Sequence, residues 1–136
     1  GKNIPKPNVA GVEAEIWALT DVIDASLVLA THDISDGGVA VALAEMSLEN
    51  EIGFEIEIEQ DMRDDKWLFS QTGGFILETD SINLPEIVSI MSTYGIPVTE
   101  LGRTTAHQVM VFGNVIHIPL SKAKDCWVNG LRDKLR

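Results

Sequence analysis

The sequence has little of what stabilises secreted domains, spans membranes or binds polyanions. Cys126 is its single cysteine, so no disulfide can form within the chain and a reducing compartment is indicated. No stretch approaches the roughly 20 consecutive apolar residues of a membrane helix, and the N-terminal residues lack the apolar core of a signal peptide. Ten basic residues stand against 21 acidic ones, a net charge of −11, which disfavours nucleic-acid backbones as partners. We therefore predict a cytoplasmic protein with neither a nucleic-acid nor a membrane partner.

The remaining composition is that of an ordinary globular protein. The chain has 136 residues, of which 45% are hydrophobic and 23% are charged, enough for one core without disulfides or a structural metal. Residues 1–10 contain Pro5 and Pro7 and are predicted to be a linker or an expression remnant. Residues 11–136 are predicted to form a single domain.

Apolar residues at helical spacing predict four helices. They are residues 12–30 with a buried stripe of Ile16, Leu19, Ile23 and Leu27; Val39–Leu48, apolar almost all round; Leu84–Tyr94; and a last helix capped by Ser121 with a buried stripe of Trp127 or Val128, Leu131 and Leu135.

Alternating or continuous apolar runs predict the strands. They are Glu51–Gln60, Phe75–Leu77, a strand into which Ile96–Gly102 leads, and a hairpin of Val109–Phe112 and Val115–Ile118 around Gly113-Asn114, with Asp61–Trp67 as a polar loop. This order predicts an α/β-type (α+β) layered domain, in which helices cover a mixed β-sheet.

Polar chemistry is concentrated just before the apolar helix, in the sequence HDISDGG from His32 to Gly38. The first amide groups of a helix lack internal partners, and a glycine pair lets an anion approach them. Asp33 and Asp36 would repel a bare phosphate. Three alternatives follow: the aspartates cap the helix, Asp36 binds a metal that bridges to phosphate, or the carboxylates accept hydrogen bonds from sugar hydroxyls.

A second polar stretch precedes the strand at Phe75. It consists of Ser70, Gln71, Thr72, Gly73 and Gly74. If the two glycine pairs face one cleft, the protein offers a polar wall to a small phosphorylated or hydroxylated ligand.

The segment HDISDGGVAVALAEMSLEN, His32–Asn50, closely resembles part of the last domain of phosphoribosylformylglycinamidine synthases. LFSQTGGFILET, GIPVTELGRTT and IPLSKAKDCWVNGL resemble further segments of that family, in the same order. The resemblance runs from about Ala30 to Leu131 and identifies the chain as a member of the aminoimidazole ribonucleotide synthetase superfamily, with the fold of its C-terminal domain.

This resemblance implies an enzyme that uses ATP and Mg²⁺ to convert formylglycinamide ribonucleotide to the amidine, with ammonia from a separate glutaminase. The six motif residues His32, Asp33, Ser35, Asp36, Gly37 and Gly38 would then line the substrate side of a cleft shared with an N-terminal ATP-binding domain. The chain shows no ATP-binding half, so we expect a fragment that is inactive alone, binds no cofactor tightly and has no catalytic residue of its own. Uncovered sheet edges are expected to support a homodimer.

Two other hypotheses stay open from the sequence. The sequence has Gly73-Gly74 where the family commonly has Ser-Arg, and this difference favours the selenophosphate synthetase branch. Aminoimidazole ribonucleotide synthetase is another sister enzyme. The alternative hypothesis is that the domain is a structural and interaction module, bound to a pseudo-symmetric partner domain or to the glutaminase, with its glycine loop kept only as a helix cap.

Overall fold

The computed structural model describes residues 8–58 and 62–135. The helices are α1 (Val9–Asp24), α2 (Gly38–Asn50), α3 (Asp64–Phe69), α4 (Leu84–Thr93) and α5 (Leu120–Lys134), and the strands are β1 (Ala30–Asp33), β2 (Gly53–Ile56), β3 (Phe75–Glu78), β4 (Gly102–Thr105), β5 (Val109–Phe112) and β6 (Ile116–Pro119). Within those residues, no helix is long and apolar enough to cross a membrane.

The chain divides into two compact units, one comprising Gly1–Leu29 and Glu78–Thr99, the other Ala30–Leu77 and Glu100–Arg136. The single domain over residues 11–136 stays a prediction. Most of the predicted linker lies outside the described residues. Asn8 caps α1, since its side-chain oxygen accepts from the amide of Gly11 at 3.2 Å.

The first unit packs α1 against α4 through small and branched side chains. Ala18 and Val22 on α1 are buried, as are Ile87 and Met91 on α4. Helix α4 begins with a proline in its first turn and ends just before Gly95, as predicted.

Helix α1 differs from the prediction in both length and orientation. It ends at Asp24, because Ser26 adopts a left-handed conformation (φ 58°), and the chain then enters β1, which was not predicted. The predicted stripe was wrong at two of its four positions: Ile16 and Ile23 are exposed, whereas Leu19 is half-buried and Leu27 is buried. The buried residues of α1 itself are the smaller Ala18 and Val22.

The second unit contains a four-stranded mixed sheet in the order β4-β2-β5-β6. Strand β2 pairs antiparallel with β4 and parallel with β5, and β5 pairs antiparallel with β6. Strands β1 and β3 form a separate two-stranded ladder. The sheet and α2 share one core, which includes Leu43, Phe54, Leu68, Met110 and Phe112. The predicted mixed sheet with helices is confirmed.

Several predicted elements of this unit are confirmed. No residue of α2 from Gly38 to Leu48 is exposed. The strand predicted over Glu51–Gln60 forms as the shorter β2, in which Phe54 and Ile56 are buried and Glu55 is exposed. Ile52, predicted to face inward, is exposed before it, and residues 59–60 lie outside the described residues. The hairpin of β5 and β6 also forms, with a turn that includes Val115.

The stretch Ile96–Gly102 leads into strand β4, which begins at Gly102, as predicted. Two other predictions for this unit were wrong. The predicted loop Asp61–Trp67 contains the start of α3, where Asp64 and Asp65 favour the first helical turn. Helix α5 starts at Leu120, so Ser121 lies inside it, and the predicted stripe is exposed: Trp127 62%, Val128 66%, Leu131 74% and Leu135 77%. Helix α5 contacts its unit through Leu120 and Ala123 near its start, and not through this stripe.

Candidate functional site: the entrance to helix α2

The loop between β1 and α2 turns sharply into the helix. Gly37 (φ 88°) and Gly38 (φ 68°) both adopt left-handed conformations, which glycine tolerates best. The amide of Gly38 donates to the carbonyl of Ser35 at 3.0 Å and closes the turn. The glycine pair is therefore required by the backbone path, whatever else it does.

One side of this entrance is closed by backbone from α3. A Cβ added to Gly38 would lie 2.7 Å from the Leu68 carbonyl oxygen and 2.8 Å from the Phe69 carbonyl carbon. Ser35 and Asp36, in contrast, are exposed. The entrance thus has a packed side and a side open to solvent.

Within the described residues, no side chain caps helix α2 at its N-terminus. The interpretation that the aspartates cap the helix is therefore wrong. The loop keeps the exposed Asp36 carboxylate beside helix amides that no side chain occupies. That arrangement can accept hydrogen bonds from hydroxyl groups through Asp36, or share a cation with another carboxylate or a phosphate.

The second glycine stretch lies directly beside the first. The amide of Ile34 donates to the Gly74 carbonyl at 2.9 Å, and the Ile34 side chain faces Gly74. The residues that lead into this stretch follow Phe69, whose backbone packs on Gly38. The structure therefore brings Ser70–Gly74 and His32–Gly38 to one surface of the second unit. Gln71, Thr72 and Gly73 are exposed on it.

His32 is only partly exposed, and its ring contacts protein groups. Nδ1 lies 2.7 Å from the backbone oxygen of Asp33, and Nε2 lies 3.1 Å from Oε2 of Glu45 on α2. The sequence interpretation missed Glu45. A signal was present, because Glu45 is the one charged residue in the run Val39–Leu48, and a lone charge on a buried helix needs a partner.

A resident metal site is not built by these residues alone. Among residues 8–58 and 62–135, no group of three or more His, Cys, Asp or Glu side chains could hold a metal ion. Mg²⁺ takes near-octahedral oxygen coordination and is often shared with phosphate. Asp36 fits the role of one such ligand, and the remaining ligands would come from a substrate or from other parts of the protein.

Comparison with known proteins identifies the family. Residues 6–113 match the family described as AIR synthase related protein, C-terminal domain. The chain belongs to this family.

Curated relatives narrow the comparison to one group of proteins. The chain is 31% identical over its full length to phosphoribosylformylglycinamidine synthase subunit PurL of Methanothrix thermoacetophila, and 30% identical over 94% of its length to the subunit of the same name from Thermoplasma volcanium. It spans 18% and 17% of the lengths of these relatives.

Solved structures show the same fold. Thermotoga maritima PurL complexed with ATP superimposes with a TM-score of 0.80 at 18% identity, over 89% of this chain and 23% of that one. The same protein complexed with FGAR gives a TM-score of 0.74 at 19% identity, over 89% of this chain and 22% of that one.

Proposed function

We propose that this chain is the substrate-side C-terminal domain of a phosphoribosylformylglycinamidine synthase. The observation that carries the proposal is the coincidence of two facts. The whole chain matches part of the synthase subunit, and the motif HDISDGG runs from the end of β1 into α2, with Asp33, Ser35 and Asp36 exposed and no side-chain cap on the helix among the described residues.

Charge on the loop indicates how the ligand would be oriented. Asp33 and Asp36 are both exposed, and two carboxylates oppose a bare phosphate at the same place. We therefore assign the sugar hydroxyls of the ribonucleotide to Asp36 and Ser35, which can accept hydrogen bonds from them.

The phosphate is assigned to the neighbouring stretch Ser70–Gly74. This stretch has no acidic side chain, and its hydroxyl, amide and backbone N–H groups can donate to an anion. Gly73 has open space beside it, so a ligand can approach the backbone closely.

In the complete enzyme, ATP with Mg²⁺ would phosphorylate the glycinamide carbonyl oxygen of the ribonucleotide and release ADP, and ammonia from a glutaminase would displace the phosphate at that carbon to give the amidine. The chain's own contribution is to hold the ribonucleotide and keep its reacting group in place. The ATP-binding domain, the glutaminase partner, the cytoplasmic location and the homodimer all belong to this proposal. So does Asp36 as a single carboxylate toward Mg²⁺.

The second candidate is a structural module that docks onto another domain or subunit. The exposed apolar stripe of α5, with Trp127, Val128 and Leu131, favours it, because such a surface normally marks an interaction site. A module of this kind would tolerate changes at Asp36.

The two candidates are separated by Asp36→Asn in the complete synthase. If the loop holds the ribonucleotide, this variant raises KM for that substrate, or lowers kcat/KM, by more than about tenfold. The expected loss arises because the amide group carries no charge and replaces one acceptor oxygen by a donor.

Glu49→Gln is the matched control for this experiment. Glu49 is an exposed acid at the other end of α2, so its replacement removes the same charge without touching the loop. Both variants should unfold at the wild-type temperature. Equal kinetics for the two variants would favour the module.

A further inference from the structure

Helix α2 carries a charged side chain for which the proposed function provides no role. Glu45 lies between Val39 and Leu48, a run that is otherwise uncharged. Its side chain is 29% exposed, and its Oε2 lies 3.1 Å from Nε2 of His32, whose side chain is 27% exposed. The pair is thus partly withdrawn from water, where a charge without a partner is costly.

The other nitrogen of His32 contacts its own strand. Nδ1 lies 2.7 Å from the Asp33 backbone oxygen and 3.6 Å from Asp33 Oδ1. Carbonyl and carboxylate oxygens accept hydrogen bonds, so Nδ1 donates to the Asp33 carbonyl, and Nε2 donates to the Glu45 carboxylate when the ring is the imidazolium ion. The imidazole ring of His32 therefore links the end of β1 to the Glu45 carboxylate on α2.

The loop that follows has few other side-chain restraints. The side chains of Ser35 and Asp36 form no hydrogen bond within the described part of the chain, and none caps α2. The backbone of the loop is held by the hydrogen bonds from Ile34 to Gly74 and from Gly38 to Ser35. His32, at the end of β1, supplies the side-chain contacts that fix where this loop begins.

We propose that Glu45 is a positioning residue for the ligand loop, acting through His32. The Glu45 carboxylate contacts Nε2 of His32, and Nδ1 of His32 contacts the Asp33 carbonyl oxygen. Ser35 and Asp36 are thereby kept in the orientation that a bound ribonucleotide requires. The expected change in KM rests on the proposed function. The effect of Glu45 on the loop through His32 does not depend on that function.

A double-mutant cycle in the complete synthase tests the kinetic consequence. Glu45→Ala should raise KM for the ribonucleotide about tenfold while kcat changes much less, because a displaced loop weakens binding. In a His32→Ala background the same change should have less than about a twofold effect, since residues that act through each other are not additive. Glu45→Gln keeps an acceptor oxygen and should lose less than Glu45→Ala. Glu49→Gln serves as the control.

Backbone amides of the 136-residue chain give a readout that does not need activity. Glu45→Ala should shift the amide resonances of residues 35–38 and speed their hydrogen exchange, and Glu49→Gln should not. An undiminished effect of Glu45→Ala in the His32→Ala background would overturn the proposal, as would unchanged amides.

The outcomes also separate this inference from the proposed function. If Asp36→Asn leaves the kinetics unchanged while Glu45→Ala shifts the amide resonances of residues 35–38, the proposed function is wrong and the positioning role of Glu45 stands. Impaired kinetics for Asp36→Asn with normal kinetics for Glu45→Ala would do the reverse.

Discussion

The two glycine pairs of this surface look alike in the sequence and differ in what surrounds them. All four glycines adopt positive φ angles, from 68° at Gly38 to 97° at Gly74. An added Cβ at Gly38 would collide with the backbone of Leu68 and Phe69, whereas one at Gly73 would meet nothing within 4 Å. The first pair is constrained by packing, whereas the second is held by its backbone angles and by the hydrogen bond from the Ile34 amide to the Gly74 carbonyl.

This difference decides which substitutions can report on a ligand. Gly37→Val places new atoms against the side chain of Val41, where even a Cβ would lie 2.3 Å from Cγ2. A loss of activity in that variant would therefore mix folding with binding. Asp36 and Gly73 are better positions for testing ligand binding, because both are exposed and a substitution there does not disturb packed side chains.

The largest expected effect is the loss of stability in Gly38→Ala. The variant combines an unfavourable φ with contacts of 2.7 to 2.9 Å to backbone atoms that cannot move alone. We expect the free energy of unfolding to fall by about 3 kcal/mol or more, measured by urea denaturation.

Gly130→Ala provides the matched control for that prediction. Gly130 lies in α5 with nothing within 4 Å of its added Cβ. The same methyl group should there be neutral or stabilise the chain by up to about 1 kcal/mol. Equal losses at the two positions would mean that packing against α3 does not constrain the helix entrance.

A smaller effect is expected for Gly73→Ala. Gly73 has φ 77° and open space, so an alanine costs only the left-handed conformation, about 1–2 kcal/mol. Gly73→Asn should cost less, because asparagine tolerates this region better. A loss as large as that of Gly38→Ala would show that the second pair is packed as tightly as the first.

Helices α2 and α5 show how far the sequence could predict the fold. Helix α2 has no polar face, so its burial followed from composition alone, and the structure confirms it. Helix α5 has an apolar stripe, and the same reasoning predicted burial of Trp127 and Leu131, which are exposed. Periodicity shows which face of a helix is apolar, but it does not show whether this chain supplies the surface that covers it.

The candidate site was predictable where it is local in sequence. The turn at Gly37-Gly38 followed from residue types, because glycine is favoured wherever the backbone needs a positive φ. The contact between His32 and Glu45 could not be predicted in this way, since it depends on β1, a strand that was not predicted because the helical pattern ran up to residue 30. The contact of Ile34 with Gly74 likewise joins residues that are distant in sequence.

The C-terminal end of helix α2 also has a residue with a positive φ, and it can be compared with both glycine pairs. The smallest effect on stability is expected there. Here Glu51, not glycine, adopts φ 55°, and Lys124 on α5 donates to its Oε1 at 2.7 Å. This hydrogen bond, followed by the lysine charge, lowers the pKa of Glu51 below its ordinary value of 4.5. A lowered pKa in the folded state contributes stability above the unfolded-state value, and that contribution is lost as the pH falls through the folded-state value.

Lys124→Met should remove this acid-dependent contribution and leave the glycine loops unchanged. The variant should be slightly less stable than the wild type near neutral pH, and the difference should shrink as the pH falls below 4.5 and Glu51 becomes protonated. The change is small because the pair is exposed to solvent. Urea midpoints measured across this pH range, with Lys122→Met on the same helix as the control, give the comparison. A difference that stays constant with pH would show that Lys124 stabilises α2 through packing of its aliphatic chain and not through the carboxylate of Glu51.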